Sequence, residues 1–531
     1  MYTVKLPLKT TYGTEQHIEK CFFALFKVHN VVTKHGKKLL RIIARDKDYR
    51  MHLSSYTAAK EEIRGLKDSG GPETSDRFLS LCEEAGAHSK AMNDLRRKTG
   101  LTKTGLESYV KKVQHTYRNH VSSHIAQKEV ERILSGIEAV LFGNGKDIHF
   151  KKYEDFHTIA TKSTTNGICF YDLDHGIDHT PKRYHPCYRT GVRFMGVDIP
   201  VKKPAKPDDY MKEALSHLDK LSYCMISREM FSSGWRYYVI LVIDDEAPKK
   251  FAMGNGKTGI DPGTSTISAV SDDFVLLEEL APDCTSYNRK IARLQAKIDR
   301  SKRASNPDNY NPDGTCKKGR HDWVFSNTCK ADRRKLKTLF RKKAAYTECE
   351  HNSRANRILT HSDTVICEKM SFSSLAKRSG KKTERSDKVS VIKKKNGTGR
   401  KVFKFKKKKR FGKSVTDRAP GGQVAAVKRK MLQYGGTFEE IPAKTIRASQ
   451  YDHVKDTCIK VPLSCRFKDV GGLCVQRDLY SAFLISKAKP DLSGVDRNAC
   501  IKAFPDYIKL QDELITIMKA DGKSRPFCFG F

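Results

Sequence analysis

The first 14 residues alternate apolar and polar side chains as an edge strand does. From about residue 15 to 142 the period becomes helical. Leu106, Tyr109, Val113, Tyr117, Val121 and Ile125 recur on one face, with Lys111, Lys112, Arg118 and His120 around them. From about 143 to 250 the runs GICFYDL, TGVRFMGVDIPV and GWRYYVILVID are broken by Gly and Pro clusters and predict a small β-barrel or sheet. After DDEAPKK come three strand-like runs at 258–261, 264–270 and 274–280. Two long basic helices follow, one carrying Tyr287, Ile291, Leu294 and Ile298 on a face, the other Leu336, Phe340 and Thr347. The pattern then gives the strand DTVICEKM, a lysine-dense polar span over 377–418, and a helix near 422–434 stopped by Gly435-Gly436. The strand TFEEIPAKTI and a helix from about Asp478 complete it.

Three strands, a helical insert, a strand, a basic insert, a helix and strand, a loop and a helix: this is the order of an RNase H-like fold, a mixed sheet flanked by helices. The chain is α/β and, at 531 residues, long enough for two to four domains. Charge narrows the function. There are 101 basic against 61 acidic residues, a net charge of +40, which calls for a polyanionic partner. Mean hydropathy is −0.60, and YYVILVI at 237–243 falls far short of the roughly 20 residues of a membrane span. The opening MYTVKLPLKTTYG lacks the apolar block of a signal peptide. These features predict a soluble cytoplasmic protein bound to nucleic acid. The fifteen cysteines are scattered and contain no C-x-x-C pair, as reduced intracellular thiols would be.

Three acids stand out by position. Asp261 ends the first strand of the third region, before Pro-Gly; Glu368 follows the apolar run TVIC; Asp478 opens an apolar-faced helix in CVQRDLYSAFLI. Each has a plain structural reading: a turn former, a solvated strand end, a helix cap. Taken together, at element ends that an RNase H-like sheet draws close, they read as ligands of Mg²⁺. Phosphodiester hydrolysis by in-line attack needs an activated water and neutralised charge on the leaving oxygen. Two ions roughly 3.5–4 Å apart supply both, and Mg²⁺ prefers hard carboxylate oxygens.

GIDPG, VICEKMSFSSL and VQRDLYSAFLI resemble, in order, the three RuvC-type motifs of TnpB, the transposon-encoded RNA-guided nucleases, and of the related type V CRISPR effectors. The segment from Phe411 to His453 resembles the family's helix-strand segment, so the likeness covers about 258–485. It implies an RNA-guided, Mg²⁺-dependent DNA endonuclease with Asp261, Glu368 and Asp478 as catalytic metal ligands, and guide RNA and target DNA, double- and single-stranded, as partners. By analogy, 15–142 is a helical recognition lobe inserted into a β-barrel wedge domain formed by 1–14 and 143–250. The RuvC-like nuclease domain takes 251–446 and 476–531. A non-cleaving RNA-guided regulator and an unguided RuvC-type nuclease are the alternatives. Transposon or CRISPR association and oligomeric state stay open.

The segment 447–475 departs from the family. His453, Cys458, Cys465 and Cys474 are present, but their spacing does not form paired zinc knuckles; the expectation is a degenerate, zinc-free loop in which Arg466 meets the substrate strand. The tract KVFKFKKKKRF places Lys404, Lys406, Lys407, Lys408, Lys409 and Arg410 among Phe403, Phe405 and Phe411. Lysines attract phosphate and aromatics stack on unpaired bases, so these residues are expected to bind nucleic acid.

Overall fold

The computed structural model describes residues 1–68, 75–143, 145–312, 314–376, 385–393, 399–405, 411–462 and 464–531, with only the Val391 side chain between 385 and 405. The chain divides into two compact units, Met1–Pro248 and Lys249–Phe531. Among the described residues no helix is long and apolar enough to cross a membrane.

The first unit runs β1 (Tyr2–Pro7), α1 (Tyr12–Arg45), α2 (Lys47–Asp68), α3 (Asp76–Thr99), α4 (Lys103–Thr116) and α5 (Ser123–Leu141). It continues with β2 (Thr158–Ala160), β3 (Ile168–Asp172), β4 (Ile177–Asp178), β5 (Thr190–Phe194), β6 (Val197–Pro200), α6 (Asp209–Ser216), β7 (Leu221–Phe231) and β8 (Gly234–Ile243). Where a β-barrel is expected over 1–14 and 143–250, the described strands form two open four-stranded sheets, β1-β8-β7-β2 and β4-β3-β5-β6. Closure requires every edge strand to find a partner. Here β4 has two residues and β2 three, and a single bridge between Leu8 and Val201 links the sheets' edges. The fully buried Arg228 fastens β7 to α1: its guanidinium bonds Glu19 at 2.5 Å and lies against the rings of Phe22, Tyr153 and Trp235.

The second unit begins with β9 (Lys257–Pro262), β10 (Thr266–Val270), β11 (Val275–Glu279), α7 (Cys284–Ala304) and α8 (Asn327–Leu359). Next come β12 (Thr364–Lys369), α9 (Phe372–Ala376), β13 (Arg385–Lys393), β14 (Gly399–Phe405), α10 (Gly412–Arg418), α11 (Pro420–Tyr434), β15 (Thr437–Pro442) and α12 (Ala443–Ile446). The hairpins β16 (Tyr451–Asp452) with β17 (Thr457–Cys458) and β18 (Phe467–Val470) with β19 (Leu473–Gln476) lead into α13 (Arg477–Ser486) and α14 (Arg497–Ala520).

Its central sheet has the order β11-β10-β9-β12-β15. The first three strands form an antiparallel meander, and β12 runs parallel to both β9 and β15. Side chains alternate between the two faces. Ile260, Ile267, Ala269, Val365 and Cys367 pack with α8 and α11 on one face. Val270, Leu277, Ile366 and Ile441 pack with α13 and α14 on the other. Every residue from Leu479 to Ser486 is buried, which suits a helix sealed between the sheet and a second helix.

Candidate active site

The period of two fixes where the acids point. Ile260 faces α8 and α11, so its neighbour Asp261 faces α13; Cys367 and Glu368 are related in the same way. On the parallel pair β9–β12, Cys367 opposes Ile260, and each acid is the next residue along. Asp478 reaches this face from the first turn of α13. The three predicted acids are therefore brought to one end of the sheet, each half-buried.

Two features seat α13 there. A Cβ on Gly259 would overlap the carbonyl oxygen of Ala482 and the amide nitrogen of Ser486 and lie 2.8 Å from the Ile485 carbonyl carbon. Only glycine lets β9 and the helix approach so closely. Ser268, directly opposite Asp261 on β10, donates its hydroxyl to the Asp478 carbonyl at 2.7 Å. Strand and helix backbones are thereby locked beside the acids.

The plain structural readings of the acids meet obstacles. Gln476 caps α13, its side-chain oxygen accepting the Leu479 N–H at 2.8 Å, so Asp478 is not the cap. Among the described residues the Asp261 carboxylate takes no hydrogen bond, which a turn former would do, and Glu368, at its strand end, is half-buried rather than freely solvated.

Burial raises the pKa of Asp261 well above the carboxylate range, and the charges of Asp478 and Glu368 add to the rise. Burial also raises Glu368 and Asp478. Asp478 is drawn back by the guanidiniums of Arg466 and Arg477 and then by the Gln476 amide; Arg477 acts on Asp261 in the same sense. Arg477, beside Asp478 in VQRDLY, is the site residue that sequence reading passed over, for in so basic a chain one more arginine carries no signal.

The donor set, all carboxylate and no thiolate or imidazole, suits a hard divalent cation. Even so, among the described residues no three Asp, Glu, His or Cys side chains gather closely enough to grip an ion. Asp261 feels the charges of the other two, yet the three do not close on a common point.

The other predicted residues fall differently. Arg466, half-buried at the start of the β18 hairpin, has a buried Nε–H with no acceptor among the described residues. Lys404 lies in β14 with its backbone alone described, and Lys406, Lys407, Lys408, Lys409 and Arg410 lie outside the described residues. His453 is buried among Tyr480, Phe483 and Phe504, its Nδ1 2.7 Å from the Tyr480 hydroxyl, whereas Cys458, Cys465 and Cys474 are exposed.

No protein-family model matches the chain, and no curated protein does. It is similar to a solved Cas12f1–sgRNA–target DNA complex at 11% identity, covering 92% of this chain and 99% of that one, with a TM-score of 0.43. It is also similar to a CRISPR-Cas12f ternary complex at 13% identity over 93% and 99% of the two chains, with a TM-score of 0.26. At these TM-scores the likeness carries no weight on fold or function.

Proposed function

We propose that the protein is an RNA-guided, Mg²⁺-dependent DNA endonuclease, built on an RNase H-like domain of RuvC type. The observation that carries this reading is the meeting of Asp261, Glu368 and Asp478, far apart in sequence, at one end of a β11-β10-β9-β12-β15 sheet. Three like charges drawn out of water cost free energy that a structural role does not explain. The net charge of +40 supports a nucleic-acid substrate. Guidance by RNA rests on the three motifs, in order, at these same acids.

Asp261, Glu368 and Asp478 would hold the cation. Bound there, Mg²⁺ supplies a water acidified for in-line attack and a counter-charge for the leaving oxygen. The chain's own groups do the rest. Gly259 and Ser268 fix α13 against β9 and β10, so the carboxylates are presented on rigid elements. Arg466 and Arg477 offer guanidinium donors suited to phosphate oxygens. Burial of the acids excludes water and strengthens each of these charges.

The test is to express the chain beside its native flanking DNA, sequence any RNA that copurifies, and challenge the complex with DNA complementary to the variable part of that RNA. The expected result is one discrete RNA species and cutting that requires Mg²⁺ and is lost in Asp261→Asn. Cutting without RNA would leave an unguided nuclease. Guided binding without cutting by the unaltered chain would leave a regulator.

A further inference from the structure

Within the second unit lies a cleft of about 660 Å³ between α7 and α10. Phe411, Lys413 and Ser414 line it from α10 and its entry, Asn288 and Arg289 from α7. That volume is in the range of small-molecule sites, about 300–1,000 Å³, and admits a nucleotide-sized group but no duplex.

Its electrostatics are one-sided. Among the described residues the single acid in its wall, Asp417, is already bound by Lys343 at 2.7 Å and by the Asn288 amide at 2.8 Å. Arg418 is likewise paired, with Glu279. Arg289 and Lys413 are exposed and have no acidic partner among the described residues. Phe411, 46% exposed, lines this cationic cleft. A cation pair and a ring without a stacking partner among the described residues, in one cleft, match the phosphate and the unstacked base of a nucleotide.

The cleft is also tied to the candidate active site. Ser414 donates its hydroxyl to the Thr264 carbonyl at 3.0 Å, and Thr264 stands three residues after Asp261 in the loop that leaves β9. We infer that this cleft seats one nucleotide of single-stranded DNA, the base on Phe411 and the phosphate between Arg289 and Lys413, and that it holds the strand leading to the three carboxylates. The inference rests on the nuclease reading for its purpose, though the binding it describes is measurable without cleavage.

The test uses the full chain carrying Asp261→Asn, so that nothing is cut, and a fluorescent oligodeoxynucleotide containing 2-aminopurine. Phe411→Ala is expected to weaken binding about 5- to 150-fold and to abolish quenching of the 2-aminopurine, while Phe411→Tyr retains both. Arg289→Gln with Lys413→Gln is expected to lower the slope of log affinity on log salt by about 0.7 for each phosphate left without its cation. Unchanged affinity in Phe411→Ala together with an unchanged slope would overturn the proposal. So would tighter binding of an oligoribonucleotide of the same sequence, which would assign the cleft to RNA. Normal cutting by Phe411→Ala on the Asp261 background, with binding unaltered, would sink the cleft and leave the nuclease standing. Absence of cutting by the unaltered chain, with the Phe411 effect intact, would do the reverse.

Discussion

At Asp261 the folded chain holds a carboxyl that burial and two like charges make hard to ionise. Its folded pKa lies above its unfolded value, so the native state binds the proton more tightly. Stability is then unaffected below the unfolded carboxyl pKa, falls as pH rises through the window up to the folded pKa, and stays lowered above it. Asp261→Asn should therefore raise the melting temperature at neutral pH, by roughly 2–4 °C for each kcal/mol of relieved repulsion, while abolishing cleavage. Melting curves between pH 3 and 8 should show that gain shrinking toward acid. Adding Mg²⁺ should stabilise the unaltered chain and not the variant. Ser268→Ala removes one hydrogen bond to the Asp478 carbonyl; a loss of about 1 kcal/mol of stability and a fall in kcat at unchanged KM are expected from denaturation and steady-state kinetics.

Among the elements, α13 has least freedom. It is buried along its length and meets β9 where Gly259 leaves room for no side chain. Gly259→Ala should cost about 3 kcal/mol, at the upper end for an overpacked core site, read as a lower midpoint in urea. The strands and helices around it were legible because their patterns are local: the runs ending at Asp261 and Glu368, and the helix stopped by Gly435, which adopts a φ of +85°. The elements that escaped are set by long-range packing that the pattern does not carry. Pro505 argues against a helix, yet α14 runs through it, held by Cys500, Phe504 and Tyr507 in the core shared with α13. The lysine-rich span reads as polar and lysine-dense, and although the Phe–Lys alternation of KVFKF also suits a strand, the pairing of β13 with β14 is not in the pattern. In the first unit the short strands β2 to β6 look alike in sequence whether they curl shut or stay open, and the choice of two sheets falls to long-range pairing. Each acid taken singly has a plain reading; their meeting was legible only through the order of the elements, and the β9–β12 register that sets it belongs to the sheet. Arg477 and Ser268 have no pattern of their own and become visible only beside the acids.

For the whole molecule, charge and division into two units set the behaviour. Lys249 and Lys250 are exposed at the boundary between units. Limited trypsin digestion should cut there and separate the two units, as gel mobility and mass would show. Exchanging Lys406, Lys407, Lys408 and Lys409 for Ser should weaken DNA binding and flatten its salt dependence by about 0.9 for each duplex phosphate no longer neutralised. Metal analysis of the purified chain should find less than one zinc per molecule, in keeping with His453 buried among aromatic rings while Cys458, Cys465 and Cys474 are exposed. The order in which the chain is made adds one more constraint. The hydroxyl that locks Asp478 sits 210 residues earlier, on β10. A ribosome therefore releases Asp261 and Glu368 long before the helix that covers their face. A product stopped short of Arg477 bares Val270, Leu277, Ile366 and Ile441 and lacks the third of the proposed metal ligands, so it should be inert if the proposed function holds, and sticky enough for chaperones and proteases to find. The same seam invites complementation. Two polypeptides divided after the exposed Lys460 should each be silent alone and regain cutting when α13 of one docks on the sheet of the other, a nuclease that works only when both halves share a cell.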